Sequence, residues 1–486
     1  MEAIVGPRAD RVCRKSLGLR VLEPDQIEDI HQATLEVLDR TGVEVYNDRA
    51  LDILKRNGAR VRGRRAHLPA WMVEEALRSR PRRVPIGDRG DGRAMLLESD
   101  RFYFGTGSDT PFVLDPFTQK RRPATKLDVQ QATLVSDALP NIDFVMSLGL
   151  ASDVPAKTSD LHQFEAMILN TKKPIIFTAH DAQGLLDILE MAAIAKGGEE
   201  RLQENPNIIL YAEPSSPLMH SDDALEKLMI ASERRIPVIY TPAVIVGATG
   251  PVTVAGAIVQ GNAEQLSGLV IQQLVAKGAP FIYGGGIPVM DMVTSVCTYA
   301  APELHLANVV LAEMSRFYGL PVFTTAGCSD SMLFDQQAGI EAGFTIMLNA
   351  LSGANLIHDV GYLGSGTTSS LEMLVACDEV IGLVKRIVAG LDTSREALAV
   401  DLIHKVGPGG HYLAEEHTLR NFRKELWFPS PVTNRQNYDG WVAQGSKTMG
   451  ERVRERIKEI LGSHKPPALD PDSQKAIAEV IKRRER

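Results

Sequence analysis

The sequence predicts an α/β protein, a (β/α)8 TIM barrel with mainly helical N-terminal and C-terminal extensions. Three observations predict it. Eight short apolar runs recur along the chain, nearly all followed by a stretch with helical spacing. The runs lack clean alternation, as strands buried on both faces of a parallel sheet do. Polar, aromatic and glycine residues crowd just after them, where a barrel gathers its mouth. A doubly wound open sheet also alternates β with α, but no glycine-rich fingerprint follows the first run, and the count closes at eight.

In chain order, residues 1–95 form the N-terminal extension. It carries an amphipathic helix (Ile27, Ile30, Leu35, Leu38, ending at Gly42) and a basic stretch from Arg78 to Arg83, read as a solvated surface. The barrel spans 96–391, and its strands are Phe102 to Thr106, Ile142 to Leu148, Pro174 to Thr178, Ile208 to Ala212, Val238 to Thr241, Phe281 to Tyr283, Val322 to Thr325 and Asn355 to His358. Between them, Leu185, Leu186, Ile188, Leu189 and Ala192 share a helix face that ends at Gly197. Capping residues open several helices, among them Thr125 with Asp128, Thr158 to Asp160, and Ser221 to Asp223. Residues 392–486 are more charged and end in a helix around Val453 to Leu461. Both extensions are read as accessory elements that cover the barrel or mediate assembly, with a homo-oligomer as the expectation.

A net charge of −8 over 486 residues argues against nucleic-acid binding, which needs clustered Lys and Arg. No signal-like apolar core or bilayer-length apolar stretch is present, so a cytoplasmic protein with no membrane partner is expected. The four cysteines, Cys13, Cys297, Cys328 and Cys377, are too scattered for a disulfide framework.

Residues at the strand ends are the first candidates for chemistry. They are rich in carboxylates (Asp109, Glu213, Asp330), histidines (His180, His358) and rings (Tyr103, Phe112, Tyr211, Tyr240, Tyr283, Phe344, Tyr362), but short of Lys and Arg. That balance suits a cation without N–H donors, such as a trimethylammonium group, and disfavours phosphorylated substrates. For any single ring, packing in the core is the more frequent role. Gly284, Gly285 and Gly286 lack the Lys and Ser/Thr of a P-loop and read as a tight turn or the close approach of a large flat ligand. Cys328, His180, His358 and Glu213 are zinc-ligand types without metal-motif spacing, so no metal is expected. A serine nucleophile lacks its G-x-S-x-G elbow.

Three segments carry a resemblance to a known family: Phe104-Gly-Thr-Gly-Ser-Asp-Thr-Pro-Phe112, Tyr211-Ala-Glu-Pro-Ser-Ser-Pro-Leu218, and Thr325-Ala-Gly-Cys-Ser-Asp-Ser331 followed by Asp335-Gln-Gln-Ala-Gly339. Over roughly residues 15 to 465 the chain resembles the trimethylamine methyltransferase (MttB) superfamily. The resemblance implies transfer of a methyl group from a methylamine or betaine to the Co(I) of a corrinoid (cobalamin) carried by a cognate partner protein. Founding members carry pyrrolysine within the barrel. This chain reads through with standard residues, the equivalent position being expected between Cys328 and Phe334, so it resembles the non-pyrrolysine branch, which demethylates small-molecule quaternary amines such as glycine betaine, proline betaine or carnitine.

On that reading, the rings cage the ammonium while Asp109, Glu213 and Asp330 supply negative potential or order the loops. His358, His180 or backbone N–H groups meet a substrate carboxylate. The glycine loops at Gly284 to Gly286 and Gly361 to Gly366 make room for the corrinoid face. A metal-dependent barrel hydrolase or lyase and a non-catalytic betaine-binding protein are the alternatives, since one fold hosts many chemistries.

Overall fold

The computed structural model describes residues 16–486, so Cys13 lies outside the described part. Seven parallel strands are hydrogen-bonded in the order Tyr103–Thr106, Leu356–Val360, Val322–Thr325, Phe281–Gly284, Val238–Tyr240, Ile208–Ala212 and Ile175–Phe177. The second stave closes the ring: Phe144 bridges to Gly105 and Val145 to Ile175, both parallel. The expected strand Ile142 to Leu148 is thus reduced to two paired residues. At one end the Ile142 carbonyl accepts from Lys173 Nζ at 2.6 Å, and at the other Leu148 turns to φ 56°, so both ends leave the ladder.

Side chains alternate across the staves. Phe144, Ile176, Ile209, Ile239, Ile282, Phe323 and Leu356 point inward and form one buried cluster. Their outward neighbours Phe104, Val145, Ile175, Ile208, Leu210, Val238, Tyr240, Phe281, Tyr283 and Ile357 pack under the surrounding helices. Those helices, in order, are Lys126–Ala138, Ser159–Asn170, Ala182–Lys196, Asp222–Glu233, Val254–Val275, Pro302–Tyr318, Gln336–Ser352 and Leu371–Val388. Gly197, at φ 84°, caps Ala182–Lys196 as its spacing predicts. Among the described residues no helix is long and apolar enough to cross a membrane.

The segment ahead of the barrel is mainly helical, with short strands between the helices. Helices Pro24–Glu36, Asp48–Arg56 and Ala70–Ser79 are interleaved with strands Val43–Val45, Arg60–Arg62 and Arg65–His67, and Val43–Val45 pairs in parallel with Met219–His220 from the loop after the fourth barrel strand. These strands are three residues long, too short to leave a period-2 signature. A hairpin, Val84–Gly87 with Arg93–Leu97, follows. Its Val84, Ile86, Met95 and Leu97 join the inward-facing cluster and plug the base of the barrel. At the other end of the chain, helix Met449–Ser463 packs on Leu371–Val388 and Lys126–Ala138, and Pro471–Glu485 packs on Ala182–Lys196.

Because Ile86 is fully buried inside the stave ring, Ile86→Ala leaves a cavity there and is expected to destabilise the fold by about 2–5 kcal/mol, measured as a lower urea midpoint. An unchanged midpoint counts against the hairpin as a plug.

Candidate active site

The C-terminal strand ends bring one set of side chains together. On the fourth strand Tyr211 points inward and its hydroxyl donates to Glu213 Oε1. Glu213 keeps solvent access while surrounded by protein, as a residue lining a deep cup does. The Tyr211 ring centroid lies 5.5 Å from Phe323 and 6.3 Å from His358, and Phe323 stacks on His358 at 3.9 Å. On the eighth strand the register shifts between Ile357 and Val360, and Asp359 there adopts φ 72°. That bulge lets consecutive residues His358 and Asp359 meet, with Nε2 and Oδ1 3.2 Å apart. Gly107 lies against the pair's far side: a Cβ there would sit 2.5 Å from Asp359 Oδ1 and 2.2 Å from the Tyr362 ring. The Tyr362 hydroxyl donates to the Ser108 carbonyl, and its ring centroid is 6.4 Å from Tyr299. Tyr211, Glu213, Phe323, His358, Asp359, Tyr362 and Tyr299 are therefore linked residue to residue around one end of the barrel.

Hydrogen bonding fixes the protons in this set. His358 Nδ1 lies 2.8 Å from the Thr324 carbonyl, which can only accept, so Nδ1 carries the hydrogen and Nε2 presents a lone pair to Asp359. Burial pushes the His358 imidazole down to about 4, keeping it neutral. Burial likewise pushes the Asp359 carboxyl up to about 7, against a bond from Thr325. The buried pair thus sets a neutral imidazole beside a carboxyl that burial favours in its neutral form. Glu213 is also raised, first by burial and then by the charge of Asp359, with the Tyr211 hydroxyl and Lys227 opposing. Burial and the neighbouring carboxylates push Tyr211, Tyr299 and Tyr362 well above the usual phenol range, so all three remain protonated rings.

The loops carrying these groups are tied by carboxylates. Asp330 accepts from Tyr299 N (2.8 Å), Ala300 N (3.0 Å) and Ser365 Oγ (2.9 Å), joining the loops after the sixth, seventh and eighth strands. Glu341 accepts from Asp330 N at 3.0 Å. Buried Glu264 accepts from Leu218 N (2.8 Å) and Ser216 Oγ (2.7 Å), holding the loop after Glu213. Asp109 accepts from Ser147 Oγ (2.8 Å), Thr178 Oγ1 (2.8 Å) and Gln163 Nε2.

Of the residues singled out in the sequence, Tyr211, Glu213, His358 and Tyr362 are brought together, while Asp109 and Asp330 anchor the surrounding loops. Several others lie elsewhere. Tyr103 points inward but at the base, where its hydroxyl accepts from Leu96 N at 3.0 Å. Tyr240 and Tyr283 face outward: the Tyr240 hydroxyl bonds His220 Nδ1 at 2.8 Å, and the Tyr283 hydroxyl donates to Asn262 Oδ1 at 3.0 Å. Their alternation partners, Ile239 and Ile282, take the inward places. Phe344 is half exposed on the outside of helix Gln336–Ser352. Phe112 has Arg121 over its ring at 3.5 Å, and His180 bonds Ser159 Oγ at 2.8 Å from the rim. Gly284 and Gly285, at φ 127° and 128°, are buried against the Phe323 and Pro242 carbonyls, a packed turn rather than an open loop.

Asp359 and Tyr299 escaped the sequence reading as site residues. Asp359 follows His358 in a visible strand end, but the bulge that aims it has no composition signal. Tyr299 comes from a hairpin far in sequence from its strand. Among the described residues no three His, Cys, Asp or Glu side chains converge to hold a metal ion.

Comparison with known proteins gives the family of the chain. The family described as trimethylamine methyltransferase (MTTB) matches residues 4–486. The chain belongs to this family. It is 31% identical over 94% of its length to the trimethylamine methyltransferase MttB of Desulfitobacterium hafniense (strain DSM 10664 / DCB-2), covering 92% of that protein. To the glycine betaine methyltransferase of D. hafniense (strain Y51) it is 30% identical over 93% of its length, covering 94% of that protein. The monomethylamine methyltransferase (MtmB) of Methanosarcina barkeri shares the fold with a TM-score of 0.54 at 12% identity, over 93% of this chain and 91% of that one. The barrel end described above is thus the candidate active site of a methyltransferase-family protein.

The two opposite shifts have a thermodynamic signature. Asp359, raised from 3.8 to about 7, contributes stability that is present below pH 3.8 and lost as pH rises through about 7. His358, lowered from 6.5 to about 4, contributes stability that is present above pH 6.5 and lost as pH falls through about 4. Between pH 4 and 6.5 the two slopes cancel. Asp359→Asn removes one of them, so its stability is expected to rise relative to the unsubstituted protein by about 1.4 kcal/mol per pH unit in that window. Parallel pH dependences in urea melts at pH 4.5, 5.5 and 6.5 would contradict the assignment.

Proposed function

We propose that this protein demethylates a quaternary amine, with glycine betaine as donor, and passes the methyl group to the Co(I) of a corrinoid carried by a separate protein. The observation that carries the reading is the convergence of three tyrosine rings, Tyr211, Tyr299 and Tyr362, on the carboxyl groups of Glu213 and Asp359. A quaternary ammonium has no N–H to donate, so ring faces and negative charge are what hold it. The names of its relatives, a trimethylamine and a glycine betaine methyltransferase, support a methylated-amine donor. With pyrrolysine absent from the sequence, the quaternary donor is the one whose displacement needs least help.

The chemistry divides simply. The reduced cobalt supplies the nucleophile. The leaving group is a neutral tertiary amine, so no general acid is required, and the work of this chain is to orient one N–CH3 bond and exclude water. Asp359 releases its proton to bulk water as the cation arrives, because His358, held neutral, does not accept it, and this places charge beside the nitrogen when a substrate is there. His358 has both ring nitrogens engaged; His180, half exposed at the rim, and backbone N–H groups remain for a substrate carboxylate. Exposed Val252, Met292, Val293, Met332 and Leu333 lie on the loops after the fifth, sixth and seventh strands, an apolar rim that suits a large flat macrocycle.

Incubation of the purified protein with free cob(I)alamin and glycine betaine is expected to give methylcobalamin by absorbance, with trimethylamine inactive. Activity with trimethylamine alone, or binding without turnover for every quaternary amine, overturns the reading. Tyr299→Leu is expected to weaken glycine betaine binding about 5- to 30-fold, the range of a desolvated cation–π contact, by calorimetry. Affinity is also expected to tighten as pH rises through about 7, where Asp359 ionises, and Asp359→Asn to abolish that dependence, since the ligand itself does not titrate there.

A further inference from the structure

The basic run that closes the N-terminal extension has no part in the chemistry of the mouth. Pro81 stops helix Ala70–Ser79 and holds Arg80 extended (φ −68°, ψ 152°), so Arg78, Arg80, Arg82 and Arg83 straddle the helix end just before the hairpin plug begins at Val84. Arg83 pairs with Glu98 at 2.7 Å, as Arg101 does at 3.5 Å. The other three do not follow. Arg78, Arg80 and Arg82 line an open cavity of about 370 Å³ together with Glu74, Phe317 and Tyr318. Among the described residues none of these three guanidiniums has a carboxylate within ion-pair distance.

The cavity lies at the base of the barrel. Helix Pro302–Tyr318 runs back from the mouth and ends at Gly319, just ahead of strand Val322–Thr325. Arg80 Nη2 donates to the Tyr318 carbonyl at that end, and a Cβ at Gly319 would collide with it. That bond caps a helix and uses one of five guanidinium N–H groups. Arg80 Nε is buried and has no partner among the described residues. Burial, and then the charge of Arg82, pulls the Arg80 guanidinium below its ordinary range. Among the described residues the one carboxylate in the wall is Glu74, which is already engaged by His31 Nε2 at 3.1 Å. Three cations are therefore held together around a single occupied acid, in a chain whose net charge is −8.

We propose that this cavity is a binding site for a phosphoryl anion, held by Arg78, Arg80 and Arg82. The planar fork of a guanidinium matches phosphate oxygens two at a time, and Arg80 Nε is a donor that the fold has already desolvated. An anion there neutralises the mutual repulsion of the three and ties the end of the N-terminal extension to helix Pro302–Tyr318. Phe317, 47% exposed, stands in the same wall with its ring fixed 5.3 Å from both His31 and Tyr318. Its free face suits the base of a nucleotide, so the phosphoryl group can come from a nucleotide or from a free inorganic anion. The cavity opens at the base and the substrate cup at the mouth, so the anion does not compete with a methyl donor.

The test titrates the full chain by calorimetry with inorganic pyrophosphate and, separately, with ADP, at about physiological ionic strength. Saturable binding at one site per chain is expected. Arg78→Gln/Arg82→Gln changes only exposed side chains and is expected to weaken both probes about 10- to 100-fold, the range of a lost charge-assisted hydrogen bond, with the far-ultraviolet circular dichroism unchanged. Phe317→Leu identifies the source: a loss of about 2- to 10-fold for ADP alone assigns the site to a nucleotide, and no loss assigns it to the inorganic anion. Failure of both probes to bind at millimolar concentration overturns the proposal. Binding that the double arginine variant leaves intact overturns it as well.

Discussion

The structure depends on carboxylates that bond the backbone amides and hydroxyls of loops. A barrel mouth is made of segments that have left the sheet, so their N–H groups have no ladder partner and must find one elsewhere or pay for burial. Here Asp330 takes two amides from the loop after the sixth strand while its own amide is held by Glu341. Glu264, on the long buried helix Val254–Val275, does the same for Leu218. Remove that scaffolding and Tyr299 and Glu213 lose the geometry that makes them a site, though every strand would remain.

Against this anchored background, the remaining acids are tuned. Asp330 and Asp109 are saturated with donors, whereas Asp359 is held above the ordinary carboxylate range by burial, and Glu213 by burial and by the charge of Asp359. Carboxyl groups near one another in space thus divide into those that tie loops through donors and those that burial holds above the ordinary carboxylate range. The bulge at Asp359 makes the division possible, because it sets the carboxyl against a neutral imidazole instead of against amide donors.

The eight staves were legible in the sequence because both-face burial writes itself as short runs of Ile, Val and Phe, and seven of the eight runs correspond to strands within a residue or two at either end. The site was legible where a strand end and its inward residue coincide, as at Tyr211, Glu213 and His358. It was illegible where parity decides: Tyr240 and Tyr283 sit one residue from an inward position, and a single sequence does not say which face of a stave is inside. Tyr103 fails for a different reason, since inward residues near the start of a stave fill the base. Tyr299 and Asp359 depend on a hairpin and a bulge, features set by tertiary packing. The N-terminal extension was legible as mainly helical, but the strands between its helices were not, because three-residue strands carry almost no period.

The hairpin plug has a consequence for traffic. With Val84, Ile86, Met95 and Leu97 filling the floor, the cup has a single doorway, and anything that enters must leave by it. A bulky second reactant seated across that doorway traps whatever is already inside and bars whatever is not. For a reaction that uses two such reactants, binding the small molecule first and releasing it last is the order this architecture would impose.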